Sequence, residues 1–306
     1  MFGDRSARAR WAVVVPRLAL VAGIGGVTLI GAGVATAPAA TPALQMVPNH
    51  FLGTARTIAR TSSPSASTPA PCWASSNWSG YAVSQTAISG LPCVPASGQT
   101  YTGVTGTWTV PTVTGSSRTS TYSAAWAGID GFANSNLIQA GTEQDYTGGK
   151  ARYSAWWEIL PAPETVIPSI TVLPGDAMTV SITKGSSSQW SITVTDNGKT
   201  GHAAQAPFTT TQTYAGPGTS AEWILEAPQV NGRIATLAQY GSAPFDHGTA
   251  NSVSPGLKVG TGGEMVQGNF RRAQVVSIPS SPDTGAPAGD GFVTAYGSTA
   301  PPAPTS

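Results

Sequence analysis

Apolar and polar side chains alternate with a period of two through most of the chain, and runs with helical spacing are scarce. The pattern predicts strands at NWSGYAV (77–83), YTGVTGTWTV (101–110), SAAWAGID (123–130), NLIQAGTEQDY (136–146) and ARYSAWWEIL (151–160). It predicts more at SITVLP (169–174), DAMTVSITK (176–184), SSQWSITVTD (187–196) and SAEWILE (220–226). The last four are ATLAQYG (235–241), GEMVQGN (263–269), AQVVSIP (273–279) and GFVTAYG (291–297). Turn residues punctuate them at short intervals, as in GGK (148–150), PGD (174–176) and DNG (196–198). So many short strands imply an all-β fold, a sandwich or barrel of antiparallel sheet.

Side chains two apart on a strand share a face. Trp126, Gly128 and Asp130 therefore point together, as do Trp156 and Glu158, and as do Glu222, Ile224 and Glu226. Gln139 points with Leu137, opposite Ile138 and Ala140. Several strands thus each offer an acid or an amide, two of them beside a Trp, which describes a polar, aromatic-lined groove on a sheet.

The ends of the chain read differently. Four arginines precede an uncharged run, LALVAGIGGVTLIGAGVATA, that ends in small residues. This is the layout of a secretory signal, and its glycines argue against the competing reading, an uncleaved membrane anchor. Residues 1–40 are accordingly read as a signal peptide and 41–71, rich in Pro, Ser, Thr and Ala, as a disordered pro-segment or linker. Residues 72–296 form one globular domain and 297–306 a disordered tail. The expected protein is secreted, free of the membrane once the signal is cleaved, and monomeric.

From residue 41 onward 11 Lys and Arg face 13 Asp and Glu, a net charge of −2, which excludes a strongly basic nucleic-acid binder. Cys72 and Cys93 are the only cysteines, and in an exported chain they are expected to form a disulfide. Their spacing is not that of a metal site, and no clustered Cys/His, H-E-x-x-H or nucleophile elbow occurs, so no metal or cofactor is expected. His202 and His247 read as loop residues. A hydrolase here would have to use carboxylates. Glu222 and Glu226 lie about 13 Å apart along a strand, too far to act as a pair, and spacing alone leaves the two unranked.

Three motifs, in order, resemble those of the glutamic peptidases, or eqolisins. WAGIDGFANSNLIQAG resembles W-x-G-I-D-G…[IL]-x-Q-x-G, YSAWWEILP resembles Y-x-A-W-x-E, and SAEWILEAP resembles A-E-[WF]-I-[IVL]-E. The resemblance covers roughly residues 75 to 296, opening strand SNWSGYAV included. It implies a lectin-like sandwich of two antiparallel sheets with a catalytic dyad on the concave face, at Gln139 and Glu226. Trp126, Asp130, Trp156 and Glu158 become supporting or substrate-binding residues, and Glu222 neighbouring scaffold. Two departures stand out: FANSN follows I-D-G where fungal members carry a Cys, and EAP replaces E-D-F. The signal, its Arg-rich start and the plainer loops give the chain a bacterial cast.

The implied activity is acid endopeptidase action on polypeptides. Glu226, near an ordinary carboxyl pKa, would activate water as a base, while Gln139 would donate to the oxyanion. Asp130 and Glu158 would orient or tune the dyad. Arg56 and Arg60 would let the pro-segment act as an inhibitor by pairing with groove carboxylates. The same groove would also suit a β-sandwich glycoside hydrolase using Glu158 and Glu226, or a non-catalytic carbohydrate- or peptide-binding module. The sequon Asn77-Trp78-Ser79 lies in the first predicted strand and is expected to stay unmodified.

Overall fold

A computed structural model of the chain describes residues 71–88, 91, 93–268 and 272–305. The predicted signal peptide and nearly all of the predicted pro-segment lie outside the described residues. Among the described residues there is no helix, and hence none long and apolar enough to cross a membrane.

The fold opens with β1 (Trp73–Ser75), β2 (Trp78–Ser84) and β3 (Gly103–Thr109). Next come β4 (Ala124–Ile129), β5 (Ile138–Thr147) and β6 (Lys150–Ile159), with β7 (Thr165–Val166) at their edge. They are followed by β8 (Ala177–Lys184), β9 (Gln189–Asp196), β10 (Phe208–Thr213) and β11 (Ser220–Glu226). Four short pieces come after these: β12 (Gln229–Val230), β13 (Arg233–Ile234), β14 (Ser242–Phe245) and β15 (Thr249–Ala250). The closing strands are β16 (Gly263–Gln267), β17 (Gln274–Pro279) and β18 (Phe292–Tyr296).

Hydrogen bonding runs through the order β10-β9-β8-β3-β14-β18-β17-β16-β2-β11-β4-β5-β6-β7. The named strands pair antiparallel throughout, except β1, which runs parallel to β16. This long ladder folds over into two layers, giving the expected sandwich. One layer is β3, β8 and β9, where Val104, Met178, Val180, Ile182, Ile192 and Val194 point inward on every second residue. The facing layer presents Ala125, Ala127, Ile138, Ala140, Trp223 and Leu225 from β4, β5 and β11. Burying a side chain as large as Ile or Leu contributes about 1.5–3 kcal/mol, and alternation concentrates that gain on one face of each strand. Two indoles span the layers with their N–H groups satisfied: Trp108 Nε1 donates to Thr142 Oγ1 at 2.9 Å and Trp223 Nε1 to the Thr105 carbonyl at 2.6 Å.

Cys72 and Cys93 form the expected disulfide. It ties the start of the domain to the loop after β2, which helps cover a second apolar cluster on the opposite face of β2, β11, β4 and β5.

Two predicted strands are not formed. SITVLP begins in a turn, with Ile170 N donating to the Ile167 carbonyl at 3.4 Å, and is bracketed by Pro168 and Pro174, which cannot donate to a ladder. Its Thr171 amide and carbonyl are instead satisfied by the Gln205 side chain at 3.0 and 2.7 Å. ATLAQYG makes only isolated bridges, Tyr122 to Leu237 and Thr114 to Gln239. Conversely, β10 (FTTTQT) escapes a period-two search because it is an edge strand with half-buried and exposed positions alternating among threonines.

Candidate active site

The antiparallel register sets side chains of five strands in rows on the face opposite the main core. One row runs Ala82–Glu222–Gly128–Gln139–Glu158 across β2, β11, β4, β5 and β6. The next is Gly80–Ile224–Trp126–Gly141–Trp156, and the third Trp78–Glu226–Ala124–Glu143–Ser154. The face parity derived from sequence thus places Gln139, Glu226, Trp126, Trp156 and Glu158 on one surface. All five are buried to within 1% exposure.

Glu226 is held from two sides. Trp126 Nε1 donates to its Oε2 at 2.8 Å and Asn77 Nδ2 to its Oε1 at 2.8 Å. Burial pushes its pKa well above the ordinary carboxyl range, and the charge of Glu158 pushes the same way, so the two carboxyls lie within electrostatic reach. The Trp126 and Asn77 hydrogen bonds pull it back in part, as does the nearby Trp78 indole. This corrects the expectation of an ordinary pKa, which composition could not have revealed because it depends on what packs over the strand.

Gln139 donates from Nε2 to Glu158 Oε2 at 2.7 Å. Its Oε1 is buried without a hydrogen-bond partner among the described residues. Burial raises the Glu158 pKa to about 8, with the Glu143 charge adding to the rise and the Gln139 hydrogen bond opposing it. Below that pH Glu158 is a neutral acid facing an amide.

The Trp126 indole lies between these two halves. A Cβ at Gly128 would sit 3.0 Å from Trp126 Cζ3 and 3.2 Å from Gln139 Cβ, so glycine there lets the ring edge and the glutamine close up. Glycine at 141, directly across from Trp126, is also required: a Cβ would come within 2.3 Å of the Ala125 carbonyl and 2.6 Å of Trp126 Cβ. Trp78 packs edge-on against Trp126 with centroids 4.9 Å apart, and Trp156 belongs to the same apolar cluster.

Asp130 stands apart from this group. It leaves the end of β4 with φ 69° and turns its carboxylate to the 214–219 loop. There it accepts from Tyr214 Oη, the Gly218 and Thr219 amides and Asn134 Nδ2, each at 2.7–2.8 Å. Its contacts anchor a loop. Glu222 is fully buried, and burial drives its pKa up, with contacts to Ser220 and the Phe132 backbone opposing the rise and the Asp130 charge adding to it.

Two features of the site were not read from sequence. Asn77 is one, and its approach to a residue 149 positions away leaves no local signal. The other is an acidic pocket beside Glu158: Glu143, Asp145 and Glu164 line a cavity of 390 Å³ with Arg152 and Ser154. Burial and the Glu143 charge raise Glu164 to about 10. The β5 alternation puts Glu143 and Asp145 on the site face, but Glu164 arrives only because the loop after β6 folds back.

Asp176, Asp196 and His202 are the one group among the described residues with the spacing of a cation site. His202 Nδ1 already lies 2.9 Å from Asp176 Oδ1, and the Lys199 ammonium lies 3.6 Å from the same carboxylate. The cluster carries its own counter-charge in Lys199 and staples the loop after β9 to the turn before β8. His202 and the exposed His247 both occupy loops.

One face of the sandwich thus collects acids, an amide and tryptophans, with no histidine or cysteine among them. A profile of the Peptidase A4 family matches residues 76–280, and the chain belongs to that family. Aspergillopepsin-2 of Aspergillus niger is 32% identical over 174 residues, 51% of this chain and 61% of that relative's length. The match thus spans less than two thirds of that protein. Two solved structures of scytalido-glutamic peptidase with transition state analogs superpose with TM-scores of 0.50 and 0.51, at 21% and 22% identity. Each alignment covers 72% of this chain and 98% of theirs, and establishes the shared fold.

Proposed function

We propose that the protein is a secreted acid endopeptidase that hydrolyses peptide bonds with water activated by Glu226 and Gln139. The observation that carries the reading is the arrangement around Trp126. One edge of its indole holds Glu226 and the other lies against the Gly128–Gln139 contact. The Trp126 and Asn77 donors favour the ionised form of Glu226 and oppose the burial that raises its pKa. Ionised Glu226 takes a proton from that water as its oxygen attacks the scissile carbonyl carbon. The amide of Gln139, and the neutral acid of Glu158 beside it, supply donors for the oxyanion. Protonated Glu226 then returns its proton to the leaving nitrogen as the C–N bond breaks. The sequence of steps needs neither a metal nor a covalent intermediate.

The proposal extends to residues 41–71 as a pro-segment. Arg56 and Arg60 would pair with groove carboxylates at neutral pH and hold the zymogen inactive, and acid would weaken that pairing. Equal maturation rates for an Arg56→Ala/Arg60→Ala precursor and wild type, over the whole pH range, would remove this extension.

Digestion of denatured casein across pH 2 to 8, with pepstatin and a chelator present, tests the main reading. Cleavage is expected in acid only and unaffected by either additive. A neutral optimum, or loss with the chelator, would replace it with different chemistry.

A further inference from the structure

The turn between β1 and β2 carries a hydrogen-bond chain that ends on Glu226. Ser75 Oγ accepts from two backbone amides, Asn77 N at 3.2 Å and Trp78 N at 3.1 Å. With its acceptor capacity so used, its hydroxyl hydrogen goes to Asn77 Oδ1 at 3.0 Å. That contact decides which way the Asn77 amide faces. Oδ1 is turned to Ser75, so Nδ2 is turned to Glu226 Oε1 at 2.8 Å. Every polar atom in the chain is assigned by its neighbour, and both residues are buried, Ser75 completely and Asn77 to 3% exposure. A glycan on Asn77 is thereby excluded from the folded state, as its sequence position already suggested.

The other oxygen of Glu226 meets Trp126 Nε1, which is also a donor and can never accept. A carboxylic acid flanked by two donors cannot direct its hydrogen at either of them. The hydrogen must occupy one of the two lone-pair sites left free, and the one on the groove side is where water and the leaving nitrogen would be.

We propose that Asn77, locked by Ser75, is a positioning residue for the peptidase reaction: it fixes the Glu226 carboxyl so that its proton-exchanging lone pair faces the groove. The inference rests on the reading of Glu226 as the general base. Trp126 alone would leave the carboxyl free to swing about one hydrogen bond, whereas two donors, one from β4 and one from the β1–β2 turn, fix its plane. Asn77 also favours the ionised form, because it donates to the charge. The remaining groups that act on Glu226 are the Trp78 indole and the Glu158 carboxyl, while Glu143 acts on Glu158.

The test is a pH profile of kcat and KM on a fluorogenic peptide for the mature protein and its Asn77→Ala, Asn77→Leu and Ser75→Ala variants, with thermal melting alongside. Asn77→Ala is expected to lower kcat about 10- to 100-fold with KM little changed. It should also move the acid-side inflection of the profile up by about one pH unit, since the carboxylate loses a donor. Asn77→Leu keeps the volume and should do the same, so it decides the matter if the alanine variant does not fold. Ser75→Ala frees the amide to rotate and should shift the inflection less, in the same direction. Inflections that stay in place in all folded variants, with any loss confined to melting temperature or KM, would overturn the proposal. Glu226→Gln run in parallel separates the two levels. An active Glu226→Gln would overturn the general-base reading and Asn77's role with it. An inactive one beside unmoved inflections would overturn the role of Asn77 alone.

Discussion

Replacing Glu226 with glutamine should lower kcat/KM on protein substrates by about three orders of magnitude while the sandwich still folds. The size of the loss follows from the role: an amide cannot take a proton from water or hand one to the leaving nitrogen. The side chain keeps its shape, but its surroundings offer two donors, Asn77 Nδ2 and Trp126 Nε1, to a group that now has only one acceptor. One N–H must then face another, which costs about 1–3 kcal/mol. The variant should therefore melt lower than wild type in acid. The gap should narrow as pH rises, because wild type alone carries a carboxyl at that position that burial keeps from ionising. Casein digestion together with melting curves at pH 3 and pH 7 would read both effects.

Raising the pH should destabilise the whole domain steeply. Glu158 is held up to about 8, Glu164 to about 10, and Asp145, Glu222 and Glu226 also lie well above the ordinary carboxyl range, burial being the first cause in each. In the unfolded chain these groups ionise near about 3.9 (Asp) and 4.3 (Glu). A folded-state pKa above the unfolded one means that the unfolded state gives up its protons first. Stability is therefore full below about pH 4 and is lost as pH rises from there toward each folded pKa. Glu158 alone removes about 1.4 kcal/mol per pH unit between its unfolded value and about 8. Domains of this kind have about 5–15 kcal/mol in total, so several such groups acting together should weaken the fold markedly as pH rises toward 7. Chemical denaturation midpoints at pH 3, 5 and 7 should fall in that order. A midpoint that rises between pH 3 and 7 would contradict the neutral, buried state of these acids.

Much of this site could be read from the sequence because strands are simple transmitters of position. A period of two put Gln139, Trp126, Trp156, Glu158 and Glu226 on defined faces, and the antiparallel register turned those faces into one surface. What escaped depends on turns and distant partners. The Ser75–Asn77 chain sits between two short strands and closes on Glu226 only when β2 and β11 pair. Asp130 shares strand parity with Trp126 yet points elsewhere, because its φ of 69° breaks the alternation at the end of β4. SITVLP has the composition of a strand, but its flanking prolines and the Gln205 amide take its place in the ladder. The raised carboxyl pKa values escaped for a related reason: they measure what covers a residue, and covering is a property of the folded surface.

The central claim, that Gln139 and Glu226 act as one unit on a water molecule, is tested most directly by a double-mutant cycle. Single-turnover cleavage of one peptide would be measured for wild type, Gln139→Ala, Glu226→Gln and the double variant at the acid optimum. Residues that work on the same transition state are grossly non-additive. The expected result is a double variant no slower than Glu226→Gln alone. Losses that multiply, or a Gln139→Ala variant as fast as wild type, would mean that the two residues do not share a reaction centre.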